Sequence, residues 1–307
     1  MSNTTGAKPD LRNALQACAL KAAGALGAVL IEAGVQGLAV SEAQARIRLD
    51  DGRDLCAQLV IGADGAQSKC RRLLGIDAAG HAYHQDALVA HISTERPHEN
   101  TAWQRFLPTG PLAFLPLPDG RSSIVWSIAH AEADRLRALD AAAFGAALTE
   151  ASDSVLGAAA LTTPVAAYPL RLQYAVDYVR PRAVLLGDAA HAVHPLAGQG
   201  LNLGLLDCAA LAEVLEADGA PGQLGDYRAL RRYERWRKSE NLAAAAAMDG
   251  LERLFSNDNQ ALKGLRSVGL EAVGKLPLVK RQFARRALGL AGDVPSLLKD
   301  DRAWPRR

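Results

Sequence analysis

One segment of the sequence constrains the fold most: an apolar run at 182–186 that ends in Gly187 and Asp188 and leads into a glycine-rich stretch. A short continuous apolar run is typical of a strand buried in a parallel sheet. Open sheets of that type bind ligands at the carboxyl ends of their strands, where a carboxylate can accept hydrogen bonds from sugar-like hydroxyls. We therefore predict an α/β unit with a ligand site directly after this strand.

The glycine-rich stretch opens a predicted helix at 198–216. Glycines let a planar group approach the backbone closely, and the free N–H groups at a helix start stabilise negative charge. A plain strand–turn–helix corner would explain Gly200 and Gly204 as packing positions. It does not explain Pro195, Gln199 and Asn202 in the same stretch, so a ligand site is favoured.

A second corner of this type lies about 120 residues earlier. The run at 59–62 ends before Asp64 and Gly65, and a short helix is predicted at 68–74. Asp64 can accept backbone hydrogen bonds and fix the turn, while Arg71 offers a planar fork for phosphate or carboxylate. Strand–Asp-Gly–helix corners are common, so this one alone favours a structural role.

Taken together, the two motifs resemble those of a known family. Residues 187–207 resemble the second FAD-binding motif of the aromatic-hydroxylase flavoproteins, in the form of the branch that hydroxylates ubiquinone precursors. Residues 59–71 are similar to the Asp-Gly motif that supports the flavin and the NAD(P)H path in that family. The resemblance covers roughly residues 11–290. It implies these FAD-binding positions: Asp64, Gly65, Arg71, Gly187, Asp188, Pro195, Gly198, Gln199, Gly200, Leu201 and Asn202.

The resemblance also implies an activity. Asp188 would bind the ribityl chain, and 195–202 would line the isoalloxazine. NAD(P)H would reduce the FAD, and O₂ would add as a C4a-hydroperoxide that hydroxylates an aromatic ring, here a polyprenyl phenol or benzoquinol of ubiquinone biosynthesis. No catalytic side chain is assigned, because in flavin hydroxylases the cofactor carries the chemistry.

Several alternatives stay open. The chain could be a non-catalytic remnant or partner subunit of such a flavoprotein, within an assembly of ubiquinone-biosynthesis proteins. It could also hydroxylate a different aromatic compound. A metal site at His191 and His194 is disfavoured, because no Cys or carboxylate cluster lies beside them in the sequence.

The predicted fold class is α/β with α+β character. A partial Rossmann-like FAD-binding domain would carry an inserted antiparallel-sheet substrate domain and C-terminal helices. The sheet is predicted from the β-branched and aromatic runs between residues 83 and 129. The predicted divisions are a partial FAD-binding domain, the β-rich substrate domain, the second FAD-binding part and a basic helical segment: 1–78, 79–178, 179–262 and 263–307.

Individual elements follow from periodicity and turn residues. We predict helices at 11–26, 131–139 and 141–150, and the helix at 198–216 should carry Leu201, Leu205, Cys208, Ala212 and Leu215 on its apolar face. The early strands are predicted at 29–32, 37–40, 45–49 and 55–61, and a later one at 166–175.

The family's N-terminal βαβ unit, whose G-x-G-x-x-G turn holds the FAD pyrophosphate, has no counterpart in the sequence. Gly24 and Gly27 lie in or at the end of a predicted helix. We therefore expect that the chain begins after that unit and binds FAD only weakly by itself.

Charge and cysteine content limit the partners. Thirty-five basic and 33 acidic residues leave a net charge of +2, which disfavours nucleic acid as a general partner. Four widely spaced cysteines suit a reducing compartment and are expected to be buried, so the cytoplasm is the default location. Basic charge collects at 228–238 and 275–307. The helix predicted at 278–290 is either a solvated basic face or a peripheral contact with the inner membrane.

Overall fold

A computed structural model describes residues 11–193, 199–217, 224–255 and 292–299. Helix α1 spans Leu11–Ala25, as predicted. The strand predicted at 29–32 is wrong: this stretch has no regular structure, and Val29 is 82% exposed. A strand needs neighbours for its backbone groups and its apolar side chains, and no described element packs here.

A small antiparallel sheet follows, in the order β1-β2-β3. Its strands are β1 (Val35–Val40), β2 (Ala45–Leu49) and β3 (Asp54–Ala57). The turn between β2 and β3 has Gly52 at φ +87°, a conformation that favours glycine. Side chains of the hairpin support the turn, because Arg48 and Asp54 form an exposed ion pair across it.

A second three-stranded sheet joins distant parts of the chain in the order β11-β12-β4. It contains β4 (Val60–Gly62), β11 (Val179–Arg180) and β12 (Ala183–Leu185). Strand β12 pairs in parallel with β4, and all three of its residues are buried. The buried parallel strand predicted from the apolar run is confirmed. Helix α2 (Lys69–Leu73) follows β4.

The largest sheet has seven strands, in the order β13-β10-β5-β8-β7-β6, with β9 also paired to β5. Its pairings are antiparallel, which confirms the predicted inserted sheet. The strands are β5 (Ala78–Thr94), β6 (Trp103–Leu107), β7 (Gly110–Pro116), β8 (Ser122–Ala129), β9 (Ala159–Leu161), β10 (Ala166–Ala175) and β13 (His191–Ala192).

Two helices cover one face of this sheet, α3 (His130–Arg137) and α4 (Ala141–Ala151). Leu136 of α3 and Phe144 and Leu148 of α4 pack against Leu112 and Trp126 of the sheet in one buried cluster. Both helices lie where the sequence predicted them. The mixed α/β architecture with antiparallel sheets is therefore confirmed. The four domain boundaries stay a prediction.

Two long helices follow β13: α5 (Gln199–Ala217) and α6 (Tyr227–Phe255). The predicted apolar face of α5 is the wrong one. Leu201, Leu205 and Cys208 are exposed, whereas the buried apolar positions are Leu203, Ala210, Leu211 and Val214. The buried face packs into the same core as β11, β12 and α6, and it also carries Asp207.

The expectation of four buried cysteines is also wrong. Cys70 is buried, whereas Cys18, Cys56 and Cys208 are exposed, and all four are free thiols. Within the described ranges no helix combines the length and apolar character needed to cross a bilayer. The basic helix predicted at 278–290 lies outside the described residues.

Candidate active site

The two predicted motifs meet at one end of the β11-β12-β4 sheet. Gly62 of β4 pairs with Leu185 of β12 in parallel register, and the backbone N–H of Leu186 donates to the Gly62 carbonyl at 3.1 Å. Parallel strands end at the same edge of a sheet. Asp64 and Asp188 therefore follow neighbouring strands at that edge.

Asp64 fixes the start of α2. Its Oδ1 accepts from the Ser68 hydroxyl at 2.5 Å, and its Oδ2 accepts from the backbone N–H of Cys70 at 2.9 Å. Partial burial opposes ionisation, but these hydrogen bonds lower the pKa of Asp64 below its usual value. Gly65, at φ +80°, lets the chain turn between strand and helix.

Arg71 joins the two motifs. Its guanidinium is buried and donates to the carbonyl of Ala189 at 2.8 Å and to that of Ala66 at 3.0 Å. Burial lowers the pKa of this guanidinium from its usual value. The sequence predicts that the planar Arg71 guanidinium can bind a phosphate or a carboxylate. In this structure the fork binds backbone carbonyls, and a ligand role for Arg71 stays a prediction.

A pair of glycines lets α5 approach the Gly-Asp corner. Gly187 adopts φ +57°, and a Cβ added to Gly204 would lie 3.4 Å from the Gly187 Cα. A Cβ at position 204 would therefore just touch the loop backbone, and a larger side chain would leave less room at this contact. The close contact brings the first turn of α5 next to Asp188.

Asp188 presents a free carboxylate at this corner. The side chain is exposed, and no residue in the described part of the chain donates a hydrogen bond to it. A Cβ added to Gly200 would lie 3.8 Å from Asp188 Oδ1, so the carboxylate faces the start of α5 across a glycine. An exposed acceptor beside free helical N–H groups is suited to a ligand that carries both hydroxyls and negative charge.

The remaining predicted FAD positions surround this corner only in part. Gln199, Gly200, Leu201 and Asn202 form the first turn of α5, where Leu201 and Asn202 are exposed. Pro195 and Gly198 lie outside the described residues. The exposed Asp188 carboxylate and the lack of side chains at Gly187, Gly200 and Gly204 fit the ribityl and ring portion of FAD.

A group of buried polar residues lies beneath the corner. The motif at 187–207 includes His191 and Asp207, but the sequence does not predict that they are buried together. Asp207 accepts from the Gly187 backbone N–H at 3.0 Å and contacts His191 Nε2 at 2.6 Å. Arg237 and Asn241 of α6 complete the group. The sequence places Arg237 in the basic segment 228–238. Nothing in that arginine-rich segment distinguishes the buried Arg237 from the other arginines. Among the described residues, no group of three or more His, Cys, Asp or Glu side chains could hold a metal ion.

The sequence profile of the FAD binding domain family matches residues 6–241. The chain belongs to this family. The chain also has curated relatives. It is 42% identical over 261 residues to ubiquinone hydroxylase UbiL of Rhodospirillum rubrum, covering 82% of the chain and 59% of the relative. It is 38% identical over 247 residues to 3-demethoxyubiquinol 3-hydroxylase of Escherichia coli, and the match covers 80% of this chain and 62% of the relative.

A solved structure shows the same fold. Anhydrotetracycline hydroxylase OxyS from Streptomyces rimosus superposes with a TM-score of 0.70 at 26% identity, covering 94% of this chain and 58% of that one. The resemblance to FAD-dependent hydroxylases drawn from the two motifs is confirmed. The chain spans about three fifths of the length of the curated relatives named above.

Proposed function

We propose that this chain carries the ribityl- and ring-binding part of the FAD site of a flavin-dependent aromatic hydroxylase. The observation that carries the proposal is the exposed, free carboxylate of Asp188 after a buried parallel strand, facing the first turn of α5. Family membership and the hydroxylase names of two relatives support the same function. Nothing in the comparisons favours the alternative of a non-catalytic remnant.

Each part of the corner has a defined task in this proposal. Asp188 accepts hydrogen bonds from the hydroxyls of the ribityl chain, and the helix start at 199–202 stabilises negative charge on the reduced ring. Asp64 and Arg71 brace the corner from below, through α2 and the Ala189 carbonyl. Bound FAD would supply electron transfer from NAD(P)H and the activation of O₂.

The proposed substrate is a polyprenyl phenol or benzoquinol of ubiquinone biosynthesis. Both relatives named above carry ubiquinone or demethoxyubiquinol in their names. The face of the seven-stranded sheet that α3 and α4 leave uncovered presents Phe106, Leu115 and Tyr168, each 39% exposed or more. Exposed apolar and aromatic side chains of this kind can contact an apolar ring.

We also propose that the protein contacts the inner membrane peripherally and binds other ubiquinone-biosynthesis proteins. The reason is that a polyprenylated substrate partitions into a bilayer. The basic residues at 275–307 support attraction to anionic lipid. Co-sedimentation with vesicles of anionic lipid, but not with neutral vesicles, is the expected result.

FAD binding tests the proposal directly. Titrating the purified chain with FAD up to high concentration should give weak but saturable quenching of flavin fluorescence, in line with the weak binding expected from the sequence. Asp188→Ala should raise the Kd at least tenfold, because losing a charged acceptor costs about 1.5–3 kcal/mol. Asp119→Ala is the control, since Asp119 lies in the turn between β7 and β8 and, among the described residues, binds Arg121 alone. An unchanged Kd in Asp188→Ala would contradict the assignment.

Turnover separates the enzyme from a remnant. With FAD, NADH or NADPH and a prenylated phenol, the enzyme should consume O₂ in step with formation of hydroxylated product. Saturable FAD binding without any product would support a non-catalytic role. Hydroxylation of simple phenols but not of the prenylated one would indicate a different aromatic substrate.

A further inference from the structure

A buried polar cluster lies directly beneath the Gly-Asp corner, formed by Asp207 of α5, His191 of β13 and Arg237 and Asn241 of α6. All four residues are at most 2% exposed. Oδ1 of Asp207 accepts from Arg237 Nε at 2.8 Å and from Asn241 Nδ2 at 3.1 Å. The other carboxylate oxygen, Oδ2, accepts from the Gly187 N–H and from His191.

The stability of the fold does not by itself explain this cluster. Buried ion pairs often add little, because removing two charges from water costs about as much as their attraction returns. An apolar set of similar volume would fill the same space. The cluster instead makes a specific connection, since one carboxylate ties the loop backbone, β13 and α6 to α5.

The donors around Asp207 favour its ionised form. Three of its described partners, the Gly187 N–H, Arg237 Nε and Asn241 Nδ2, only donate, and a carboxylate only accepts. The fourth partner, His191 Nε2, lies 2.6 Å from Oδ2 and matches an ionised carboxylate when it carries the ring proton. Arg237 supplies the positive charge that balances the buried carboxylate, although it is 30 residues away in sequence.

The contact with Gly187 connects this cluster to the proposed ligand site. Gly204 and Asp207 lie one turn apart on α5, and both meet Gly187, one at its Cα and the other at its N–H. Gly187 is held at φ +57°, and its next neighbour is Asp188. The direction of the Asp188 carboxylate therefore depends on how firmly Gly187 is held.

We propose that Asp207 and Arg237 are a positioning pair that fixes the loop at 187–190 and so aims Asp188 at the cofactor. Helix α6 thus contributes to the flavin site through Asp207, without a residue of its own in the predicted FAD set. The effect on cofactor binding rests on the proposed function. The fixing of the loop by Asp207 and Arg237 does not depend on it.

Amide hydrogen exchange of the full chain without cofactor tests the loop. In Arg237→Gln and in Asp207→Asn, the amides of 187–190 should exchange at least tenfold faster than in the wild type. The double variant should exchange at a rate within threefold of either single variant, because both single changes break the same contact. The double variant removes both charges together, so it also serves if a single variant does not fold.

Two controls separate local release from general loss of stability. Glu234→Gln removes another buried charge from α6, where Glu234 binds the backbone of Tyr178 and does not contact the loop. Leu148→Ala destabilises the core between α4 and the seven-stranded sheet. Neither should change exchange at 187–190 relative to the rest of the β12 region. Wild-type exchange at 187–190 in a folded Arg237→Gln or double variant would overturn the proposal, as would equal acceleration in a control.

FAD binding supplies the second readout. The Kd should rise at least tenfold in Arg237→Gln, and the visible circular dichroism of bound flavin should change, whereas Leu148→Ala should leave the spectrum unchanged. If the wild type shows no saturable binding, the proposed function fails while the exchange result still decides whether the pair holds the loop. If binding and spectrum stay as in the wild type although the loop is released, aiming of Asp188 is refuted.

Discussion

Arg71 illustrates how one side chain can hold two distant motifs together. The guanidinium lies between α2 and the loop that follows β12, and each of its two terminal nitrogens donates to a different carbonyl. A lysine has a single terminal nitrogen on a flexible stem and cannot reproduce this planar fork. The identity of the residue, and not only its charge, therefore matters at position 71.

We expect Arg71→Lys to lower the free energy of unfolding by about 1.5–3 kcal/mol, the range for buried hydrogen bonds to charged groups. Urea unfolding followed by circular dichroism gives the measurement. Arg72→Lys is the matched control, because the Arg72 guanidinium is exposed and, within the described ranges, binds just the nearby Gln67 carbonyl. A loss in Arg72→Lys as large as that in Arg71→Lys would contradict the bridging role.

Cys70 is the buried cysteine among the four. Burial, followed by the nearby charge of Asp64, raises the pKa of the Cys70 thiol to about 11. The thiolate is the reactive form, and at pH 8 only about 0.1% of such a thiol is ionised. Iodoacetamide at pH 8 should label Cys18 and Cys56 in the folded protein and Cys70 only after unfolding, as read by peptide mass spectrometry. Rapid labelling of folded Cys70 would show that α2 opens.

At the scale of elements, α5 shows why periodicity predicted a helix but not its orientation. Leucines lie on several sides of α5, so more than one apolar stripe can be drawn through its sequence. The buried stripe runs through Leu203, Asp207 and Leu211. A charged residue in that position argues for the solvent face unless its partner is known, and Arg237 lies on another helix.

Paired substitutions on α5 measure the orientation. Leu211 is 2% exposed and Leu205 is 50% exposed. Leu211→Ala should cost about 2–5 kcal/mol of stability, and Leu205→Ala should cost within about 0.5 kcal/mol. Denaturant midpoints of the two variants provide the comparison. A reversed order would restore the face predicted from the sequence.

Other elements were predictable because their signals are local. Ser68 caps α2 by accepting from the Arg71 N–H, and the side chain of Asp140 caps α4 in the same way. Strands β2 and β10 coincide with the runs predicted for them. The stretch at 29–32 has the same apolar character, but a strand also needs a neighbour, which local sequence does not reveal.

At the scale of the whole molecule, the proposed cofactor site is assembled from residues far apart in sequence. The motif resemblance assigned Asp64, Gly187 and Asp188 to one FAD site. It did not locate the support beneath them, because Asp207, Arg237 and Asn241 act through contacts between helices. The residues that face the ligand can therefore be predicted from sequence motifs, whereas the buried residues that support them cannot.

Acid stability should report on this buried support. Burial opposes ionisation of Asp207, but hydrogen bonds and charges from His191 and Arg237 lower its pKa below the ordinary 3.8. A lowered folded-state pKa adds stability that is present above the unfolded-state pKa of about 3.9 and is lost as pH falls through the folded value. The urea midpoint should therefore fall more steeply below pH 4 in the wild type than in Asp207→Asn. Parallel profiles would show that Asp207 does not contribute to the acid response.

Strand β13 belongs both to the Gly-Asp segment and to the seven-stranded sheet. His191 pairs with Tyr174 of β10 only three residues after Asp188, and the Ala175 N–H donates to the Ala190 carbonyl at 2.7 Å. This short stretch is held by the β10 ladder at one end, by strand β12 at the other, and by the contact of Asp207 with the Gly187 N–H between them. The distance between a substrate ring on the sheet and a flavin at the corner would thus be fixed by the fold itself.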